Sequence, residues 1–293
     1  MTKTKVYFTK DISSSGLLKI YKALNCKLEG NVAVKISTGE PGGHNFLSPK
    51  LIEPLVSMLS GSIVECCTAY KGRRFDPKEH HLVFKEHGFM DIAPCDILDE
   101  DGSIKLDVHG GSHLKGYNIV GKNIEKYDSI LMLSHFKGHQ MGGFGGALKN
   151  MSIGLASKEG KAWIHSWGNT TDLNTFWSYS SNQDAFLESM AEACESVISY
   201  MGKDNIVYIN VANNLSIDCD SNPKEPEMAD IGIFASLDPV ALDKACYDAI
   251  VNADDSGKAS LIERMDSRHA THILDASVKL GIGNLEYEII NID

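Results

Sequence analysis

The chain has 293 residues, 43% of them hydrophobic and 23% charged, which is ordinary globular usage and excludes collagen-like, disordered and coiled-coil chains. Acidic residues outnumber basic ones by 39 to 28, for a net charge of −11. With no basic cluster to offset it, that balance repels a phosphodiester backbone and argues against nucleic acid as a partner, although one pocket on an acidic protein can still be positive.

The opening MTKTKVYFTKDISSS alternates instead of entering an apolar stretch, so no export signal and a cytoplasmic setting are expected. Apolar runs bounded by turn residues then predict buried strands at 31–37 (NVAVKIS) and 61–66 (GSIVEC), with a helix between them opened by Ser48-Pro49. Residues 67–127 are irregular and rich in His, Asp and Gly, which predicts a flap or a small antiparallel addition at the sheet edge. Further strands are expected at 128–134 (DSILMLS), 205–211 (NIVYINV) and 230–235 (DIGIFA), and LEYEIINID closes the chain as another. Helical patterns fill 184–201, where Phe186, Met190, Cys194, Val197 and Ile198 share a face, and the stretch after Asp238-Pro239. Strands alternating with helices imply an α/β fold: a largely parallel sheet with helices on both faces, read as a single domain over 1–293 with an insertion at about 67–127. No apolar run reaches the roughly 18 residues of a membrane span. Seven irregularly spaced cysteines indicate reduced thiols, not a disulfide framework.

Open parallel sheets bind ligands in the crevice beyond the carboxyl ends of their strands. Reactive side chains fall there after each predicted strand: Glu40 and His44; Cys66 and Cys67; His135, Lys137 and His139; Asn213, Asn214, Asp218, Cys219 and Asp220; and Asp238. Exposed loops are polar in any case, which accounts for Asp and Asn but less well for recurrent His and Cys, so a functional crevice is expected. Within SHFKGHQMGGFGGALKNMSIG, Gly142, Gly143, Gly145 and Gly146 precede a helix start, and Lys149 and Asn150 follow. Free amides of such a turn and helix N-terminus would form a nest for phosphate or carboxylate; alternatively, the glycines only let a loop cross packed backbone. Neither a Walker loop nor a dinucleotide fingerprint is present.

His135 and His139 are four apart and, joined by Asp218 and Cys219 from the next strand end, predict a divalent metal site, with imidazole and thiolate suiting Zn or Fe. The plain alternative for a His pair is hydrogen-bonded structure. Lys35 inside an apolar strand, Lys137, and His165 between Trp163 and Trp167 are the candidates for proton transfer. No Cys-x-x-Cys occurs, so neither a zinc ribbon nor a ferredoxin-type motif is written in the chain.

The block SHFKGHQMGGFGGALKNMSIG, followed in order by GKAWIHSWG, YINVANNLSIDCD and DIGIFASLDPVALDKACYDAI, resembles the domain-of-unknown-function 362 family of bacteria and archaea. The resemblance extends from VYFTKD to YEIINID. It implies a cytoplasmic protein of a group often labelled iron–sulfur-centre proteins, because many relatives carry ferredoxin-like cysteine clusters. Relatives tend to show Cys-Asp-Cys where this chain has Cys219, Asp220 and Ser221, and one Cys where Cys66 and Cys67 stand together. An iron–sulfur cluster on this chain alone is therefore not expected unless Cys66 or Cys67 replaces the thiolate missing at Ser221. Two readings follow: a metal-supported enzyme acting on a small anionic metabolite, or a ligand-binding or redox-linked module served by a ferredoxin-like partner. A homodimer is compatible with the sequence, which does not select it.

Overall fold

The computed structural model describes residues 3–179, 181–219 and 225–293. Strand β1 (Thr4–Thr9) leads into α1 (Ser14–Ala23), whose N-cap Ser13 accepts from the Gly16 amide. Strand β2 (Val32–Lys35) is buried at every position and is followed by α2 (Pro49–Leu59), which starts at the expected Ser48-Pro49 pair. Then come β3 (Ser62–Glu65), α3 (Pro77–Glu86) and β4 (Cys95–Ile97). A hairpin, β5 (Ser103–Asp107) and β6 (Tyr117–Gly121), precedes the central β7 (Ser129–His135). A short ribbon of β8 (Lys137–His139) and β9 (Gly143–Gly145) leads to α4 (Ala147–Leu155), α5 (Lys158–His165) and the long α6 (Gln183–Met201). Strands β10 (Ile206–Ala212) and β11 (Gly232–Ser236) are followed by α7 (Pro239–Val251), α8 (Lys258–Ser267), α9 (His272–Lys279) and β12 (Tyr287–Asn291).

Eight strands form one sheet in the order β12-β1-β11-β10-β7-β2-β3-β4. All neighbours pair parallel except β1 with β11 and β10 with β11, so β11 alone runs against the rest. The mostly parallel α/β sheet expected from the sequence is thus present. The reversal at β11 has a local cause: no crossover helix occurs among the described residues between β10 and β11, so the chain turns back where it stands. One expectation is corrected as a result. Asp238, read as a residue of the ligand edge, follows a reversed strand and sits at the opposite edge, where Oδ1 accepts from the Val240 and Ala241 amides at 2.9 and 3.0 Å and caps α7. Asp230, ahead of β11, occupies the ligand edge instead and accepts from the Asn214 amide at 2.7 Å.

Side chains alternate across the sheet, so each strand feeds two cores. Ile130, Met132, Ile206, Tyr208 and Phe234 pack beneath α4 to α9, whereas Leu131, Leu133, Val207, Ile209 and Ile233 pack against α1 to α3. On the first of these faces the alternation ends, at the carboxyl edge, in Lys35, Ser134 and Asn210, all buried and all polar. The apolar core gives way there to a polar floor. Within 67–127, the β5–β6 hairpin is antiparallel and β4 extends the main sheet. All seven cysteines are free, and no helix among the described residues is long and apolar enough to cross a membrane.

Candidate ligand-binding site

A cavity of about 370 Å³ opens beyond the carboxyl ends of β2, β3 and β7, a size suited to a metabolite. Its floor is an ion-pair network. Lys35, 1% exposed, donates its three protons to Ile36 O at 2.6 Å, Glu65 Oε2 at 3.1 Å and Asn150 Oδ1 at 3.1 Å. Glu65 Oε1 in turn accepts from the Thr38 amide at 2.8 Å, the Thr38 hydroxyl at 3.1 Å and Arg74 Nη2 at 3.1 Å. Burial alone would raise the Glu65 pKa, but Lys35 and Arg74 outweigh it and hold the carboxyl down at about 2. Burial lowers the Lys35 pKa, and Glu65 opposes that fall. Arg74 also reaches Glu40 Oε1 at 3.0 Å and donates to His80 Nε2 at 3.3 Å, while the Tyr70 hydroxyl donates to Glu40. His80 is pushed down to about 3 by burial and by the Arg74 charge, so it stays neutral and can accept. Lys35 fits because Gly154 faces it: a Cβ there would lie 2.8 Å from Lys35 Cε.

The glycine-rich segment does not present the open nest predicted from the sequence. Buried Asp243 of α7 fills the start of α4, accepting from the Ala147 amide at 2.8 Å and the Leu148 amide at 2.9 Å, and from Asn210 Nδ2 at 2.7 Å. An internal carboxylate thus takes the position foreseen for an external anion. Gly146 makes the approach feasible, since a Cβ there would lie 2.4 Å from Asp243 Oδ1. Met141 and Gly142 give their amides to His139 Nδ1, and Gly143 and Gly145 pair with β8. The reading in which the glycines permit close backbone packing fits better. Of the residues assigned to the nest, Lys149 and Asn150 line the cavity, and Asn150 Nδ2 ties Lys35 O to Ser134 Oγ at 2.9 and 3.1 Å.

The residues read as metal ligands are committed elsewhere. Asp218 is held bidentately by Arg264, at 2.8 Å from Nε and 3.1 Å from Nη2. His135 Nε2 is 2.6 Å from Asn213 O and must donate to it. His139 Nδ1 accepts two amide protons, at 3.1 and 3.0 Å. Cys219 does line the cavity together with His139. Among the described residues no three His, Cys, Asp or Glu side chains come together as a metal site, so the predicted set does not fit a metal ion; Asp220 and Ser221 lie outside the described residues. The cysteine question resolves similarly. Cys66 lines the cavity, donates to Leu155 O at 3.3 Å and has its thiol pKa raised well above the usual value by burial. Cys67 points to the opposite core with its thiol pushed up to about 12, so it cannot replace a thiolate on the cavity side.

His165 lines the cavity, but its aromatic wall is not Trp163 and Trp167. Trp163, two residues earlier on α5, points away from His165, and Trp167 lies beyond the helix end with a left-handed backbone (φ 44°); these rings pack on Tyr117 and Tyr179. His165 instead stacks on Phe186, with Phe176 and Trp177 tilted beside it. Burial, then Lys149 and Lys161, push it down to about 3, too low for a base near neutral pH. Lys137 donates to Asn45 O at 2.8 Å in a recess of about 70 Å³ that shares His139 and Lys149 with the cavity. Glu65, Arg74, Tyr70 and Lys161 were not picked out from the sequence. Lys161 lies on the first turn of a helix within GKAWIHSWG, and its Nζ donates to Ala156 O at 2.5 Å.

Fold and cavity together define an α/β protein with a ligand-sized chamber, charged at its floor and apolar along one wall, at the carboxyl edge of a mostly parallel sheet. The chain belongs to the family described as Domain of unknown function (DUF362), which matches residues 32–248, a span that holds every residue lining the cavity. Among solved structures it is similar to the lactate racemase apoprotein from Thermoanaerobacterium thermosaccharolyticum, at 14% identity and a TM-score of 0.46, covering 84% of this chain and 57% of that one. It is also similar to a structural-genomics protein from Thermotoga maritima, at 14% identity and a TM-score of 0.45, covering 80% of this chain and again 57% of the other. The chain therefore spans little more than half the length of either structure. No curated protein matches the sequence.

Proposed function

We propose that the protein binds a small anionic metabolite in this cavity. The observation that carries the reading is Lys161: an ammonium group, 8% exposed, in the wall of a metabolite-sized chamber, with one backbone carbonyl as acceptor and no carboxylate partner among the described residues. Buried charges are ordinarily paired, and a ligand carboxylate or phosphate would complete this one. Lys149 adds a second cation to the same chamber, while Ala69, Met141, Ile153 and Trp177 supply an apolar wall. The geometry supports recognition ahead of acid–base chemistry, because Lys35 has every proton engaged and His165 is neutral with little basicity.

Thermal-shift and calorimetric titrations with inorganic phosphate and with short mono- and dicarboxylates test this. A ligand held at 100 times its Kd stabilises by about 2.7 kcal/mol, which is readily seen. At least one probe is expected to stabilise the protein, and Lys161→Met is expected to abolish the effect. No response to any probe, or an unchanged response in the variant, would overturn the reading.

A further inference from the structure

The geometry points to His139 as a fixed, uncharged hydrogen-bond donor of the cavity, whose Nε2–H selects one acceptor oxygen of a bound organic acid. This rests on the anion-binding reading of the chamber and specifies how the anion is oriented there.

The tautomer follows from the turn that joins β8 to β9. Both the Met141 and Gly142 amides point at His139 Nδ1, at 3.1 and 3.0 Å. A nitrogen that accepts N–H bonds must keep its lone pair, so the single proton of the neutral ring lies on Nε2. Protonating Nδ1 would aim three donors at one another in a buried turn. The surroundings act in the same direction: burial first, then the nearby cations Lys149, Lys137 and Arg264, disfavour the imidazolium. His139 lines the cavity, and its Nε2 has no hydrogen bond to any described residue.

Three consequences distinguish this role from the alternatives. Nε2 already carries a proton, so it is not a general base. Ligating histidines usually donate their second ring N–H to a neighbour, whereas here the second nitrogen is an acceptor, and metal at Nε2 would require an imidazolate. A neutral N–H lies in the ring plane and is directional, whereas a lysine ammonium attracts charge with little orientation. Lysines to gather the charge, one imidazole to fix an oxygen, and Met141, Ile153 and Trp177 to receive apolar atoms together describe a small organic acid, not a bare inorganic anion.

Long-range proton–nitrogen correlation spectra of the full chain labelled with [15N]histidine test the assignment. The histidine whose signals vanish in His139→Gln should show a pyridine-like Nδ1 and a pyrrole-like Nε2, unchanged from about pH 5 to about pH 8 and on addition of Zn2+. An Nδ1–H tautomer, an imidazolium in that range, or a zinc-induced change at Nε2 would each overturn it. Titration with a short dicarboxylate gives a second readout. His139→Leu should weaken binding about tenfold, and His139→Gln, whose amide restores an N–H near the same point, should stay within about threefold of the parent. Equal binding by the Leu variant and the parent overturns the donor role. Failure of every anion to bind the parent overturns the reading of the chamber itself, while the tautomer result is decided independently of it.

Discussion

A lysine on a central strand is tolerated here because three acceptors meet its three protons, and one of them is a carboxylate that a guanidinium also holds. Removing one member should therefore expose the cost of the others. Glu65→Gln leaves Lys35 and Arg74 buried without their shared counter-charge and is expected to lower unfolding free energy by about 3 kcal/mol or more. Lys35→Met should cost a similar amount, and the double variant much less than the sum of the two, as urea unfolding of all four proteins in a double-mutant cycle would measure. A loss below about 1 kcal/mol in Glu65→Gln, or strict additivity, would mean that the pair is not coupled. Half of this pair was legible in the sequence. A lysine inside VAVKIS stands out, whereas a glutamate at the end of SIVE looks like any exposed strand terminus, and Arg74 comes from an irregular stretch with no periodicity to place it.

At the level of elements, the predicted strands and the Pro-initiated helices were readable because period and capping are local properties. What was not readable came from long-range partners. Nothing in GGFGGALKN announces that Asp243, almost a hundred residues later, occupies the head of α4, and an open nest is the natural reading of the segment by itself. The direction of β11 was hidden for the same reason, since an apolar run does not encode its orientation. The capping arrangement makes a definite claim about Asp243→Asn. Asparagine keeps one acceptor oxygen but turns an amide group toward the second helix N–H, so a buried donor is left unmet, costing about 1–3 kcal/mol. Hydrogen exchange should accelerate selectively at the Ala147 and Leu148 amides. Unchanged protection at those two positions would show that Asp243 is not what holds the helix start.

Across the whole molecule, an acidic chain encloses a chamber whose walls carry Lys35, Arg74, Lys149 and Lys161, and burial, reinforced by that local excess of cations, keeps nearby imidazoles neutral. His80 and His165 are both pushed from 6.5 to about 3, and His139 is lowered as well. The unfolded chain binds protons at these sites from about pH 6.5 downward, whereas the folded chain does not. Their contribution to stability is complete above the unfolded value and is lost as pH falls toward 3, at up to about 1.4 kcal/mol per pH unit for each group. Asp243 works in the opposite sense: burial raises it from 3.8 to about 6, so its contribution is present below 3.8 and is lost as pH rises through 6, offsetting one histidine in that interval. Glu65, lowered from 4.5 to about 2, adds a further loss only below 4.5. Unfolding free energy from urea titrations should therefore fall by a few kcal/mol between about pH 7 and about pH 5, and more steeply below that. His165→Phe, which keeps an aromatic ring against Phe186 and cannot bind a proton, should flatten the profile. A profile level across that range, or a variant as acid-sensitive as the parent, would mean that these imidazoles are charged in the folded state and that burial and the chamber's cations do not hold them neutral.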